Sequence, residues 1–209
     1  MTYIFDFDGT LVDSMPVWAG AHIQALKDGG IPCPDDFVKT ITPLGNIRAS
    51  QYAISLGLKL SLQEYLEIFD SRLYEGYNVT IPLKSNVAKT LEKLKRDGHS
   101  LNVLTASPHK FLDPCLKRLG IFDLFQNVWS IDDFGHTKSE TILFEKAAEM
   151  LNTVCSDCIF VDDNLGAVET AKKSGMKTVA IYDKSSDDYV EDMKKIADLY
   201  VYDFYDITK

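Results

Sequence analysis

Asp6 and Asp8 stand one residue apart, directly behind the apolar run Met1-Thr2-Tyr3-Ile4-Phe5 and directly before Gly9. On an extended segment this spacing points both carboxylates toward the same side. Such a pair serves a site that uses one carboxylate as nucleophile or metal ligand and the other as proton donor. Two turn aspartates closing a strand would show the same pattern, so the pair alone leaves both readings open.

Three further stretches carry groups that could do chemistry. Thr105-Ala106-Ser107 follows the apolar run from Leu101 to Leu104. A hydroxyl and backbone N–H groups at a helix entrance hold a phosphoryl oxygen, or simply cap the helix. Lys138 opens the segment Lys138-Ser139-Glu140-Thr141-Ile142-Leu143-Phe144 near an expected helix start, where a cation is poorly placed against the helix dipole. Ile159-Phe160-Val161-Asp162-Asp163-Asn164-Leu165-Gly166 ends an apolar run in two acids.

These residues need elements to position them. The N-terminal run reads as a short buried strand. Helical periodicity follows from Ser14 to Gly29-Gly30, then over residues 34–41, 47–56 and 61–77, where Ser61 and Glu64 have capping-box spacing. No strand is expected between Met15 and Thr80. Strand and helix then alternate: helix 85–97, strand 101–104, helix 108–119, strand 128–131, helix 138–151, strand 158–161, helix 166–174, strand 178–182 and strand 199–202. Alternation of this kind implies an α/β fold with a doubly wound parallel sheet. The expected organisation is a catalytic core of residues 1–14 and 81–209, with a small all-helical cap, 15–80, inserted after the first strand. In such sheets ligands bind at the carboxyl ends of the strands, where Asp6, Asp8, Asp162 and Asp163 fall.

The 209 residues are 45% hydrophobic and 25% charged, the balance of an ordinary globular protein. A net charge of −9 argues against a nucleic-acid or anionic-membrane surface, so an anionic substrate needs local cations. No run approaches the length of a membrane span, and the N-terminus lacks the basic start and apolar core of a signal peptide. The expectation is a cytoplasmic protein, monomeric or weakly dimeric. Cys33, Cys115, Cys155 and Cys158 are scattered. Cys155-Ser156-Asp157-Cys158 has no second pair to complete a zinc site and is read as ordinary thiols.

The string Asp6-Phe7-Asp8-Gly9-Thr10-Leu11-Val12-Asp13-Ser14 resembles the first motif of the haloacid dehalogenase superfamily of phosphotransferases, and the other three motifs follow in the family's order. The chain is similar throughout to the β-phosphoglucomutase and phosphoglycolate phosphatase-like members with a helical cap. The resemblance implies that Asp6 is the nucleophile, Asp8 the general acid/base, and Thr105 with the Ala106 N–H a phosphoryl-oxygen holder. Lys138 would offset charge on Asp6 and the phosphoryl group. Mg²⁺ would be held by Asp6, the backbone carbonyl of Asp8 and Asp162, with the reach of Asp163 open. The family's usual prolines are absent at Ser139 and Thr141. In the insert, Gly45-Asn46-Ile47-Arg48 resembles a cap segment whose arginine contacts the substrate, and Trp18 stands where mutases commonly carry histidine. The implied activity is a Mg²⁺-dependent phosphatase acting on a small phosphate monoester. A sugar-phosphate mutase is the alternative, and a non-catalytic binding protein on the same scaffold a third reading.

Overall fold

The computed structural model of the chain describes residues 1–208, the side chain of Pro43 excepted. Six runs rich in Val, Ile, Phe and Leu pair as strands: β1 (Thr2–Phe5), β2 (Ser100–Thr105), β3 (Asn127–Ser130), β4 (Cys158–Asp162), β5 (Lys177–Ile181) and β6 (Leu199–Val201). They form one sheet in the order β3-β2-β1-β4-β5-β6, and every neighbouring pair is parallel. A parallel sheet needs cover on both faces, which is why β4 is buried at every position and β1 at three of four.

The cover comes from α5 (Val87–Arg96), α6 (His109–Arg118), α7 (Thr141–Met150), α8 (Leu165–Lys173) and α9 (Val190–Ile196). On one side Ile4, Leu104 and Phe160 pack with Leu143, Phe144, Ala147, Ala167 and Ala171 in a continuous core. On the other, Phe5 meets the rings of Phe125 and Phe204. Sheet order makes β1 the reversal point of the winding: connections run outward to β2 and β3 on one side, and to β4, β5 and β6 on the other. Crevices open at the carboxyl edge beside such a strand.

Two compact units are present, Met1–Asp13 with Pro82–Lys209, and Ser14–Ile81. The second contains α1 (Met15–Asp28), α2 (Phe37–Ile41), α3 (Gly45–Ser55) and α4 (Leu62–Glu75), and no strand among the described residues. α4 starts on the expected capping box: Ser61 Oγ accepts from the Glu64 N–H at 3.2 Å while the Glu64 carboxylate accepts from the Ser61 N–H at 2.8 Å. Its buried Tyr65, Phe69 and Leu73 recur at helical spacing, and the rings of Tyr65 and Phe69 meet His22 of α1.

One local expectation is corrected. α7 begins at Thr141, not Lys138, because the Glu140 carboxylate turns back to accept from the Thr137 N–H at 2.8 Å and its hydroxyl at 3.0 Å. That turn satisfies outside the helix the donors a helix start would orphan, and it leaves Lys138 on the connection. α9 was not expected. It has seven residues, too few for a clear period, and follows an irregular 3₁₀ stretch over Lys184–Tyr189. The cysteines are all free; Cys115 and Cys158 are buried, and burial pushes both thiols up to about 11.

Candidate active site

Register decides which acids meet. Phe5 is level with Val161 on β4 and with Val103 on β2, so the next residue on each strand reaches the same edge. The Asp6 N–H continues the ladder to the Val161 carbonyl at 2.9 Å, which sets Asp6 beside Asp162. Asp6, Asp162 and Asp163 are all buried, and one carboxylate oxygen from each lies within 4.8 Å of the others.

Lys138 enters this cluster from the turn before α7. Its ammonium donates to Asp6 Oδ1 and, at 2.8 Å, to Asp162 Oδ2. Its charge also lies 5.5 Å from the centre of the Phe160 ring. Burial works against the charge on Lys138, yet Asp162 and Asp6 outweigh it and hold its pKa above the ordinary value. Asp162 is pushed up to about 6, by burial first and by Asp6 next, against the opposing pull of Lys138 and the Asn164 N–H, which donates to Asp162 Oδ1 at 2.7 Å. Asp163 is driven well above the ordinary range by burial and by the charges of Asp162, Asp6 and Asp183. Three buried carboxylates with one ammonium lack positive charge. A small divalent cation with oxygen preference fits that donor set, whose acids are the harder to ionise without one.

The loop behind β1 is held tightly. Gly9 adopts φ +75°, and a Cβ there would come within 2.5 Å of Asp163 Oδ2. Only glycine allows the backbone to pass so close to that carboxylate. Thr10 Oγ1 donates to Asp163 Oδ1 at 2.9 Å, which orients it. Lys84 donates to the Gly9 carbonyl at 2.6 Å, the Tyr182 carbonyl at 2.7 Å and Asp183 Oδ2 at 3.0 Å.

β2 delivers the remaining groups. Thr105 is buried, and its Oγ1 accepts from the Ser107 N–H at 3.1 Å. Ser107 is buried too, and its hydroxyl donates to Asp8 Oδ2 at 2.5 Å. Ala106, between them, is exposed. The edge therefore brings together Asp6, Asp162, Asp163 and Lys138, and separately joins Asp8 to the Thr105–Ser107 turn. Trp18 and Arg48 stand in the helical unit. Trp18 is half-buried there, with its indole N–H donating to Tyr77 Oη at 2.7 Å and its ring edge against Phe69; Arg48 is exposed on α3. His109, a residue at the α6 start, spans Asp113 at 2.8 Å and Asp133 at 2.9 Å, a tie between α6 and the turn after β3.

Several contributors carried no sequence signal of their own. Thr10 lies inside the first motif but becomes informative only through a partner 153 positions away. Lys84 bonds mainly to backbone carbonyls, which no side-chain pattern announces. Asp183 had a usable sign, an acid just behind the end of β5.

The haloacid dehalogenase-like hydrolase profile matches residues 3–181, and the chain belongs to that family of enzymes. A phosphoglycolate phosphatase of Pectobacterium atrosepticum is 30% identical over 183 residues, covering 85% of this chain and 78% of that protein. A pyrophosphatase of Bacillus velezensis is 27% identical over 179 residues, covering 85% and 81%. The crystal structure of a predicted phosphoglycolate phosphatase from Haemophilus somnus superposes with a TM-score of 0.85 at 26% identity, covering 99% of this chain and 96% of that one. Among the described residues, no helix is long and apolar enough to cross a membrane.

Proposed function

We propose that the protein hydrolyses a small phosphate monoester or a related phosphoanhydride through a phosphorylated Asp6. The observation that carries this reading is the convergence of Asp6, Asp162 and Asp163 with Lys138 at the carboxyl edge of β1 and β4. Asp6 is the attacking group: its carboxylate forms the new bond to phosphorus in line with the leaving oxygen. Lys138 offsets the charge that Asp6 and the phosphoryl oxygens accumulate. Thr105 Oγ1 already accepts from Ser107, so its hydroxyl hydrogen is the group to hold a phosphoryl oxygen, with the Ala106 N–H beside it. Asp8 gives a proton to the departing oxygen, then takes one from the water that releases phosphate from Asp6. The Ser107 hydroxyl fixes the direction in which Asp8 faces.

The donor set suits Mg²⁺, which Asp6, Asp162, Asp163 and the Asp8 carbonyl would hold; when bound it supplies charge neutralisation at the phosphoryl oxygens. The names of the relatives direct the first trials toward phosphoglycolate and pyrophosphate. A cytoplasmic setting is part of the proposal, supported by four free cysteines. The test is a phosphate-release screen over phosphoglycolate, pyrophosphate, sugar phosphates and nucleotides, run with Mg²⁺ and with a chelator. We expect release that needs Mg²⁺ and falls at least ~10³-fold in Asp6→Asn. Undiminished turnover in Asp6→Asn would overturn the mechanism, and isomerisation of a sugar phosphate without release would replace hydrolysis by mutase chemistry.

A further inference from the structure

Lys84 is the second cation bound into this edge, and its partners set it apart from a surface lysine. Its side chain is 17% exposed, and its ammonium makes three bonds: to the Gly9 carbonyl, the Tyr182 carbonyl and Asp183. Its own N–H donates to the Leu11 carbonyl at 3.0 Å, and the Asp13 N–H donates to the Pro82 carbonyl at 3.0 Å. Residues 82–84 thus run alongside residues 11–13, with an antiparallel bridge between Val12 and Leu83. Asp183 is fixed in turn by the Ser185 N–H at 2.9 Å and the Ser185 hydroxyl at 2.7 Å, so the ammonium is tied to a rigid base.

The loop so held carries the chemistry. Gly9 follows Asp8 directly, and its carbonyl belongs to the Gly9–Thr10 peptide group, one peptide beyond Asp8. Anchoring that carbonyl restricts the rotation available to the turn on which Asp8 rides. Thr10 anchors the same turn from the other side, through Asp163. Charge-assisted bonds of this kind are roughly twice as strong as neutral ones.

We propose that Lys84 is a positioning residue for the reaction, holding the Asp8–Gly9–Thr10 turn in its working geometry by clamping the Gly9 carbonyl to the end of β5. This rests on the phosphatase reading for its kinetic consequence, while the clamp itself is measurable without substrate. A displaced catalytic group reduces turnover more than ground-state binding, so kcat should fall while KM holds.

The experiment compares wild type with Lys84→Met by hydrogen exchange over residues 7–13 and by steady-state kinetics with Mg²⁺. We expect exchange at Gly9, Leu11 and Val12 to quicken at least ~10-fold, kcat to fall about 10–100-fold, and KM to stay within about twofold. Unchanged exchange in the loop overturns the proposal whatever the activity. So does a loosened loop with wild-type kcat, or a loss that appears in KM alone. The double variant Lys84→Met with Asp183→Asn separates the clamp from charge balance: kcat is expected to stay low, and its recovery would assign Lys84 to neutralising Asp183 instead. Should Lys84→Met not fold, Lys84→Gln keeps a polar side chain and is read by the same measurements. If wild type releases no phosphate from any ester, the phosphatase reading fails, and the exchange result still decides the clamp.

Discussion

Lys138 shows what one side chain contributes when its ammonium stands against buried acids. Its two ion pairs are enclosed, so their loss is not screened as a surface pair would be. Lys138→Met is expected to lower kcat by about 10²–10³-fold at saturating Mg²⁺, checked by steady-state phosphate release, since it removes charge placed where the transition state needs it. Gly9 shows the opposite case, a residue that matters for what it lacks. Gly9→Ala meets both a left-handed φ and the Asp163 carboxylate. It is expected to cost roughly 1–2 kcal/mol in denaturant unfolding and to weaken Mg²⁺ affinity by calorimetry, because Asp163 must move aside. An alanine there with undisturbed metal affinity would remove Asp163 from the donor set.

At the level of elements, α1 and α4 are joined through a buried histidine. His22 is 3% exposed, shares a 2.7 Å hydrogen bond between Nδ1 and Tyr65 Oη, and lies 4.2 Å from the Phe69 ring centre. Burial lowers its pKa to about 4. The unfolded chain, with histidine near 6.5, therefore binds the extra proton between these values, and the folded one does not. The stability this group contributes is complete above pH 6.5 and is lost as pH falls toward 4, amounting to about 3 kcal/mol at most. Urea unfolding of wild type and His22→Phe from pH 4 to 7.5 checks it: the difference between the two should shift by that order across the window. A difference that stays flat would mean that His22 is protonated within the fold.

For the whole molecule, the proposed Mg²⁺ site ties stability to pH through its acids. Burial raises the pKa of Asp162 to about 6 and that of Asp163 well above the ordinary range, so protein without the cation holds protons there that the unfolded chain has released; the contribution of Asp162 to stability falls as pH rises from about 4 through 6, and that of Asp163 falls in the same direction. Mg²⁺ competes with those protons, and its effect should grow over the same range. At a concentration about 100 times its Kd, Mg²⁺ is expected to add roughly 2.7 kcal/mol. For a chain of this size that raises Tm by roughly 5–10 °C at pH 8, shrinking below pH 6. Scanning calorimetry with Mg²⁺ and with chelator checks it. An equal rise at pH 5 would move the binding site away from these acids.

The alternation of strand and helix, the placing of Asp6, Asp8, Thr105 and Asp162 behind apolar runs, and the helical insert were all legible in the chain, because period and strand ends are local properties. Lys138 was found by type and spacing but set within the helix, since nothing local showed that Glu140 would fold back on Thr137. What needed the tertiary structure was convergence over distance: Asp163 reaching Thr10 across 153 positions, Ser107 reaching Asp8 across 99, and Lys84 reaching Gly9 across 75. Which side chains share an edge depends on parallel register and the order of strands, and these arise from burying both faces of the sheet at once. No local pattern of residues encodes that.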